Sequence, residues 1–142
     1  MREGRVLAFD PGSTRIGVAV SDPLRIVASP LTVVSVEDFE GRIPALISEY
    51  RPTTLVVGLP VSLSGRENAA AVRARAFGAR LAELTGLPVE FVDERFTTAT
   101  AESAMLEGGV KRRDRRSNVD KVAAAVILRH FLDRPPQPDR DR

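Results

Sequence analysis

The sequence predicts an α/β domain, a mixed β-sheet with helices packed on it, and three observations predict it. The chain opens with three strand-like runs separated only by short turns. A later run, Thr54-Leu55-Val56-Val57-Gly58-Leu59, is continuously apolar, as strands buried on both faces of a parallel arrangement are. From there on, helix-like and strand-like segments alternate.

In order, residues 5–9, 15–21 and 31–36 read as strands, punctuated by Asp10-Pro11-Gly12 and Ser21-Asp22-Pro23; connections this short favour an antiparallel meander. Ser35 and Asp38 have the spacing of a capping box for a helix reaching Tyr50, with Gly41 and Pro44 inside it as points of kinking or delay. The strand at 54–59 ends at Pro60. Ser64 and Glu67 repeat the capping pattern before an Ala-rich helix that Gly86 stops. Val89 to Val92 form a strand that closes on Asp93-Glu94. Thr97-Thr98 then open a short helix ending at Gly108-Gly109. From Ser117 to Asp133, Val119, Val122, Ala123, Val126, Ile127 and His130 recur at helical spacing and predict a helix with one face on the core. These elements make one domain over residues 1–134, followed by a polar, Pro-rich tail at 135–142 expected to be disordered.

A chain of 142 residues is long enough for one domain with a real core and too short for two. With no Cys and a single His, it has no disulfide, no thiolate nucleophile, no Cys-ligated zinc and no His-rich metal site. Any metal is therefore expected to be hard and oxygen-bound. Neither a signal-peptide core nor an apolar stretch of membrane-spanning length is present, so a cytoplasmic protein with no membrane partner is expected. The formal net charge of +2 says little about partners, but its distribution says more. Lys111, Arg112, Arg113, Arg115 and Arg116 place five bases in six residues, a run suited to gripping phosphates without reading sequence, although a solvated loop also explains it.

Three acidic positions fall at element boundaries: Asp10 after the first strand, Glu94 after the last and Asp120 in the first turn of the final helix. Open α/β sheets bind ligands outside the carboxyl ends of their strands. Carboxylates from separate elements suit Mg2+ or Mn2+, and a two-ion site would activate water and stabilise the leaving oxygen of a phosphodiester. In that arrangement Asp10 bridges the ions while Glu94 and Asp120 reach in. Each residue also has a structural explanation. Asp-Pro-Gly is an ordinary turn, Ser117-Asn118-Val119-Asp120 fits a capping box, and Asp93-Glu94 can pair with Arg95. Arg15 and Arg95, beside the acidic motifs, can orient carboxylates, contact phosphate or form plain surface ion pairs.

Four motifs in order, Leu7-Ala8-Phe9-Asp10-Pro11-Gly12-Ser13-Thr14-Arg15-Ile16-Gly17-Val18-Ala19, Val56-Val57-Gly58-Leu59-Pro60, Asp93-Glu94-Arg95-Phe96-Thr97-Thr98 and Val119-Asp120-Lys121-Val122-Ala123-Ala124, resemble those of the YqgF family, also called RuvX. The resemblance spans about residues 4 to 133. It implies an RNase H-like fold, a five-stranded mixed sheet with the first three strands antiparallel, flanked by helices. It also implies a metal-dependent nuclease acting on branched DNA as a Holliday junction resolvase, or on the 5′ end of pre-16S rRNA. Asp10, Glu94 and Asp120 match the family's acidic positions. In the related RuvC resolvases the middle carboxylate sits on the fourth strand, but Leu55 to Pro60 offers no acid here. A donor from the fifth strand must reach across a spacing of about 4.8 Å per strand, which favours Glu94 over Asp93.

Two other functions compete. A non-catalytic nucleic-acid-binding module on the same fold would use the acids as caps and turns. Asp10-Pro11-Gly12-Ser13-Thr14 also resembles the first phosphate loop of sugar kinases and actin-like ATPases, which need a second domain that 142 residues do not supply. A homodimer would give a symmetric junction two active sites.

Overall fold

The computed structural model describes residues 4–60, 68–93 and 112–134, with the backbone alone for 112–118. In order, the elements are β1 (Val6–Pro11), β2 (Arg15–Ser21), β3 (Ala28–Ser35), α1 (Phe39–Tyr50), β4 (Thr54–Leu59), α2 (Ala69–Thr85), β5 (Val89–Asp93) and α3 (Arg112–Leu132). The strands form one mixed sheet in the order β3-β2-β1-β4-β5, in which β1 and β3 run antiparallel to β2 while β4 and β5 run parallel to β1. The expected five-stranded mixed sheet, with its first three strands antiparallel, is the observed one.

Alternation along each strand divides the apolar residues between two faces. Leu7 and Phe9 of β1, Ile16 and Val18 of β2, and Leu55, Val57 and Leu59 of β4 pack with Ile43 and Leu46 of α1 and Ala71, Ala74, Phe77 and Leu81 of α2. Phe77 touches Phe9 at 5.6 Å and Phe39 at 5.0 Å between ring centroids, tying both helices to the central strand. On the other face, Val6, Ala8, Ala19, Val56 and Val92 meet Ala124, Ile127, Leu128 and Phe131 of α3. Both faces are thus covered, which is why β1 and β4 read as continuous apolar runs. The α3 face of β1 and β2 is built from small residues: Ala8 pairs with Ala19 and Asp10 with Gly17, so the helix can lie close to the backbone.

Several boundaries differ from the sequence reading. β3 begins at Ala28, not residue 31, and runs through Pro30; it is the edge strand and its register against β2 shifts at Val18/Ala19, where a missing N–H is tolerated. Asp38 makes no side-chain cap for α1; Ser35 Oγ instead accepts its N–H at 3.2 Å and donates to its carboxylate at 2.9 Å, clasping the end of β3. Gly41 and Pro44 both lie within α1. The cap of α2 is Asn68, whose Oδ1 accepts the Ala71 N–H at 3.1 Å, while Ser64 and Glu67 fall outside the described residues. Gly86 ends that helix as expected, with φ of 70° and its N–H donated to the Ala82 carbonyl at 2.9 Å. α3 starts at Arg112, not Ser117, and buries Ala123, Ala124, Ile127, Leu128 and Phe131, leaving His130 exposed. The short helix expected after Thr97 and the tail at 135–142 lie outside the described residues.

Candidate active site

Asp10 is a strand residue. β1 continues through Pro11, whose register partner is Ile16, and the two-residue connection is Ser13-Thr14, closed by a hydrogen bond from the Gly12 N–H to the Arg15 carbonyl at 2.8 Å. Because the Gly12 N–H points at β2, the Pro11 nitrogen points towards β4, whose pairing with β1 stops at Phe9/Val57, and no ladder bond is lost there. The Asp-Pro-Gly turn that offered a structural explanation for Asp10 therefore does not exist. By alternation from Ala8, Asp10 belongs to the α3 face, half-buried at the carboxyl end of the central strand.

Asp120 loses its explanation as a helix cap in the same way. It is the ninth residue of α3, two turns beyond the first, so it is neither a cap nor in the first turn as the Ser117-Asn118 pattern suggested. Four residues before the fully buried Ala124, it continues the stripe that faces the sheet. The helix reaches the sheet there because Gly17 has no side chain: a Cβ on Gly17 would collide with the Asp120 carbonyl oxygen. Since Gly17 is also the register partner of Asp10, one glycine brings the two acidic residues together on one face. Sequence reasoning had not singled out Gly17, although a glycine inside a strand is a recognised signal of close backbone approach.

Arg15 completes this end of the sheet. It lies on the α3 face, two residues before Gly17, and its Nε is 3.0 Å from Asp120 Oδ2, with both side chains about one-third exposed or less (35% and 27%). Of the roles open to Arg15 from sequence, contact with a carboxylate is observed, which fits both an orienting role and a plain ion pair.

The remaining predicted residues are placed less completely. Glu94 and Lys111 lie outside the described residues, as does Arg95. Asp93 pairs with Leu59, which packs on the α1/α2 face, so Asp93 points away from the face of Asp10. β4 separates β5 from β1, which confirms that an acid from the fifth strand has two strand spacings to cross. Arg112, Arg113, Arg115 and Arg116 occupy the first turns of α3, in the helix itself and not in a loop before it. Among the described residues, no group of three or more acidic, His or Cys side chains could hold a metal ion. Nor is any helix among them long and apolar enough to cross a membrane.

A model of the RuvX family, described as Holliday junction resolvase, matches residues 4–134. The chain belongs to the RuvX family. A relative from Dictyoglomus turgidum is 47% identical over 132 residues, covering 91% of this RuvX chain and 94% of its own. One from Lactococcus lactis subsp. cremoris is 41% identical over 134 residues, with the same coverage of each. Both are named as candidate pre-16S rRNA nucleases. Among solved structures, Thermus thermophilus RuvC bound to a Holliday junction substrate superposes with a TM-score of 0.55 at 22% identity, covering 92% of this chain and 96% of that one. At that identity the likeness establishes the RNase H-like fold of RuvX and no more.

Proposed function

We propose that this chain is a divalent-metal-dependent endonuclease that hydrolyses phosphodiester bonds in structured nucleic acid, with Asp10, Glu94 and Asp120 as its metal-holding carboxylates. The observation that carries the reading is the meeting of Asp10 and Asp120 across Gly17, after both have lost their explanations as turn and cap residues. The donor set fits a hard cation: carboxylate oxygens at the mouth of the sheet, with neither thiolate nor imidazole beside them. Glu94 is proposed as the third donor because it matches the family's acidic position, while Asp93 belongs to the opposite face of the sheet.

Mg2+ or Mn2+ held there would supply a Lewis acid and an activated water to the scissile phosphate. The chain's own residues do the rest. Asp10, at the centre of the sheet, fixes the position of the site. Asp120 is carried in by a helix whose height Gly17 sets. Arg112, Arg113, Arg115 and Arg116, together with Lys111, hold the phosphates flanking the cut. The names of the relatives favour pre-16S rRNA as substrate, and the 5′ end of that precursor and a cytoplasmic compartment are proposed with it. The description of the family model supports Holliday junction DNA as the second reading.

The deciding experiment incubates purified protein with a precursor 16S rRNA fragment and with a four-way DNA junction, each with Mn2+, Mg2+ or EDTA. Metal-dependent cleavage of one substrate, lost in Asp10→Asn and Glu94→Gln, is expected. Cleavage of neither, or equal cleavage by Asp10→Asn, overturns the assignment and leaves the binding module.

A further inference from the structure

The ion pair between Arg15 and Asp120 differs from two surface pairs among the described residues. Arg80 grips Glu40 with two nitrogens, at 3.1 and 2.8 Å, and Arg129 grips Asp133 likewise at 3.2 and 2.9 Å. Arg15 approaches Asp120 through Nε, at 3.0 Å, as a charge contact without hydrogen-bond alignment. A two-point fork adds both strength and direction, so a contact lacking it is the more readily exchanged. The backbone of Arg15 is nonetheless fixed, because its carbonyl closes the β1–β2 turn and its register partner is Ser35. What can move is the guanidinium, at the partly exposed rim of the sheet. The residue it contacts is carried by α3 onto the sheet face of a second acid, Asp10, whose register partner Gly17 marks the close approach, and like charges sharing a half-buried face each favour a nearby cation.

We propose that Arg15 is a positioning residue that exchanges partners: without metal its guanidinium is a counter-ion to Asp120 on the Asp10 face, and a divalent cation arriving at Asp120 displaces it towards the rim, where a substrate phosphate can take it. This rests on the reading of Asp10 and Asp120 as metal ligands. If Arg15 only braced the fold, removing it would loosen Asp120 and weaken metal binding. As a resident competitor it does the opposite, because its removal takes away both a rival cation and a repulsive charge.

The test is Mn2+ titration of the wild type, Arg15→Gln, Arg15→Met, Arg15→Lys and Asp10→Asn, with free Mn2+ read by electron paramagnetic resonance and thermal melts run with and without the ion. Arg15→Gln and Arg15→Met are expected to bind Mn2+ about 5-fold more tightly, the factor corresponding to about 1 kcal/mol for a partly exposed pair, while Arg15→Lys stays near wild type. Without metal, the Gln and Met variants should melt below wild type, and saturating Mn2+ should close that gap. If wild type binds Mn2+, Asp10→Asn does not, and the Gln and Met variants bind equally or more weakly, the exchange is overturned while the metal site stands. If wild type itself binds no Mn2+, the metal-site reading falls and the exchange falls with it.

Discussion

The carbonyl oxygen of Asp120 occupies the space in which a side chain of Gly17 would stand. Helix and sheet therefore meet backbone to backbone at the point where Asp10 is the register partner. Gly17→Ala is expected to cost about 1–3 kcal/mol, the usual price of forcing extra volume into a packed contact. The helix must also lift, separating Asp120 from Asp10, so Mn2+ binding should weaken. Gly41→Ala is the matched control: nothing lies within 4 Å of its added Cβ, and it sits inside α1, so it should gain about 0.4–1 kcal/mol. Urea unfolding of the two variants beside wild type reads both signs, and equal effects would mean that the close approach at Gly17 is not a packing constraint.

Ser21 is the sole buried polar side chain among the described residues, at 2% exposure. Its Oγ accepts the Val6 N–H at 2.8 Å and donates to the Asp22 carbonyl at 2.9 Å. The hydroxyl thereby satisfies the first backbone donor of the central strand. Ser21→Ala strands that N–H in the interior, and a loss of about 1–3 kcal/mol is expected. Hydrogen exchange at the Val6 amide should accelerate with it, and unchanged exchange would show that another acceptor takes over.

Much of this architecture was legible in the sequence because hydrophobic period and turn chemistry agree over most of it. The both-sided burial of β1 and β4 follows from their unbroken apolar runs, and Gly86 marks the end of α2 where the chain turns left-handed. The errors fall where a local signal was overridden by tertiary context. Asp10-Pro11-Gly12 looks like a turn, yet the ladder with β2 carries the strand on to Pro11. Ser117-Asn118-Val119-Asp120 looks like a helix start, yet it lies inside a helix already running from Arg112. For the proposed site, Asp10 and Asp120 were legible one by one, but their shared face across Gly17 was not. That depends on cross-strand register and on how close α3 can approach, and the traces of it in the sequence are small residues in mid-strand, Gly17 above all.

Asp22 gives the fold a testable acid dependence. Its Oδ1 accepts the N–H groups of Ile26 and Val27, both at 2.7 Å, and these bonds, that of Val27 foremost, hold the carboxyl below the usual aspartate range. Because the folded-state value is lowered, the charged form favours folding. Its contribution is complete above the unfolded-state value and disappears as pH falls through the folded-state value. Asp22→Asn keeps an acceptor oxygen but not the charge, so it should melt below wild type at neutral pH. The two melting curves should converge in acid. A constant gap across the acid range would assign the difference to something other than this carboxylate.

The basic run makes a prediction that separates grip from chemistry. Arg112, Arg113, Arg115 and Arg116 precede Asp120 in one helix, so any substrate phosphates they hold would approach the proposed site along one element. Phosphate contacts release counterions, and each one lost flattens the dependence of log affinity on log salt by about 0.9 for duplex DNA or 0.7 for a single strand. Replacing the four arginines with Gln should therefore weaken binding at low salt, flatten that slope, and do so equally for unrelated sequences. Asp120→Asn removes no phosphate contact of this kind and should leave the slope as it is while abolishing metal-dependent cleavage. Fluorescence anisotropy across a salt series, with EDTA present to prevent cutting, measures both effects. A slope unchanged by the four substitutions would remove the run from the interface and return it to a solvated helix surface.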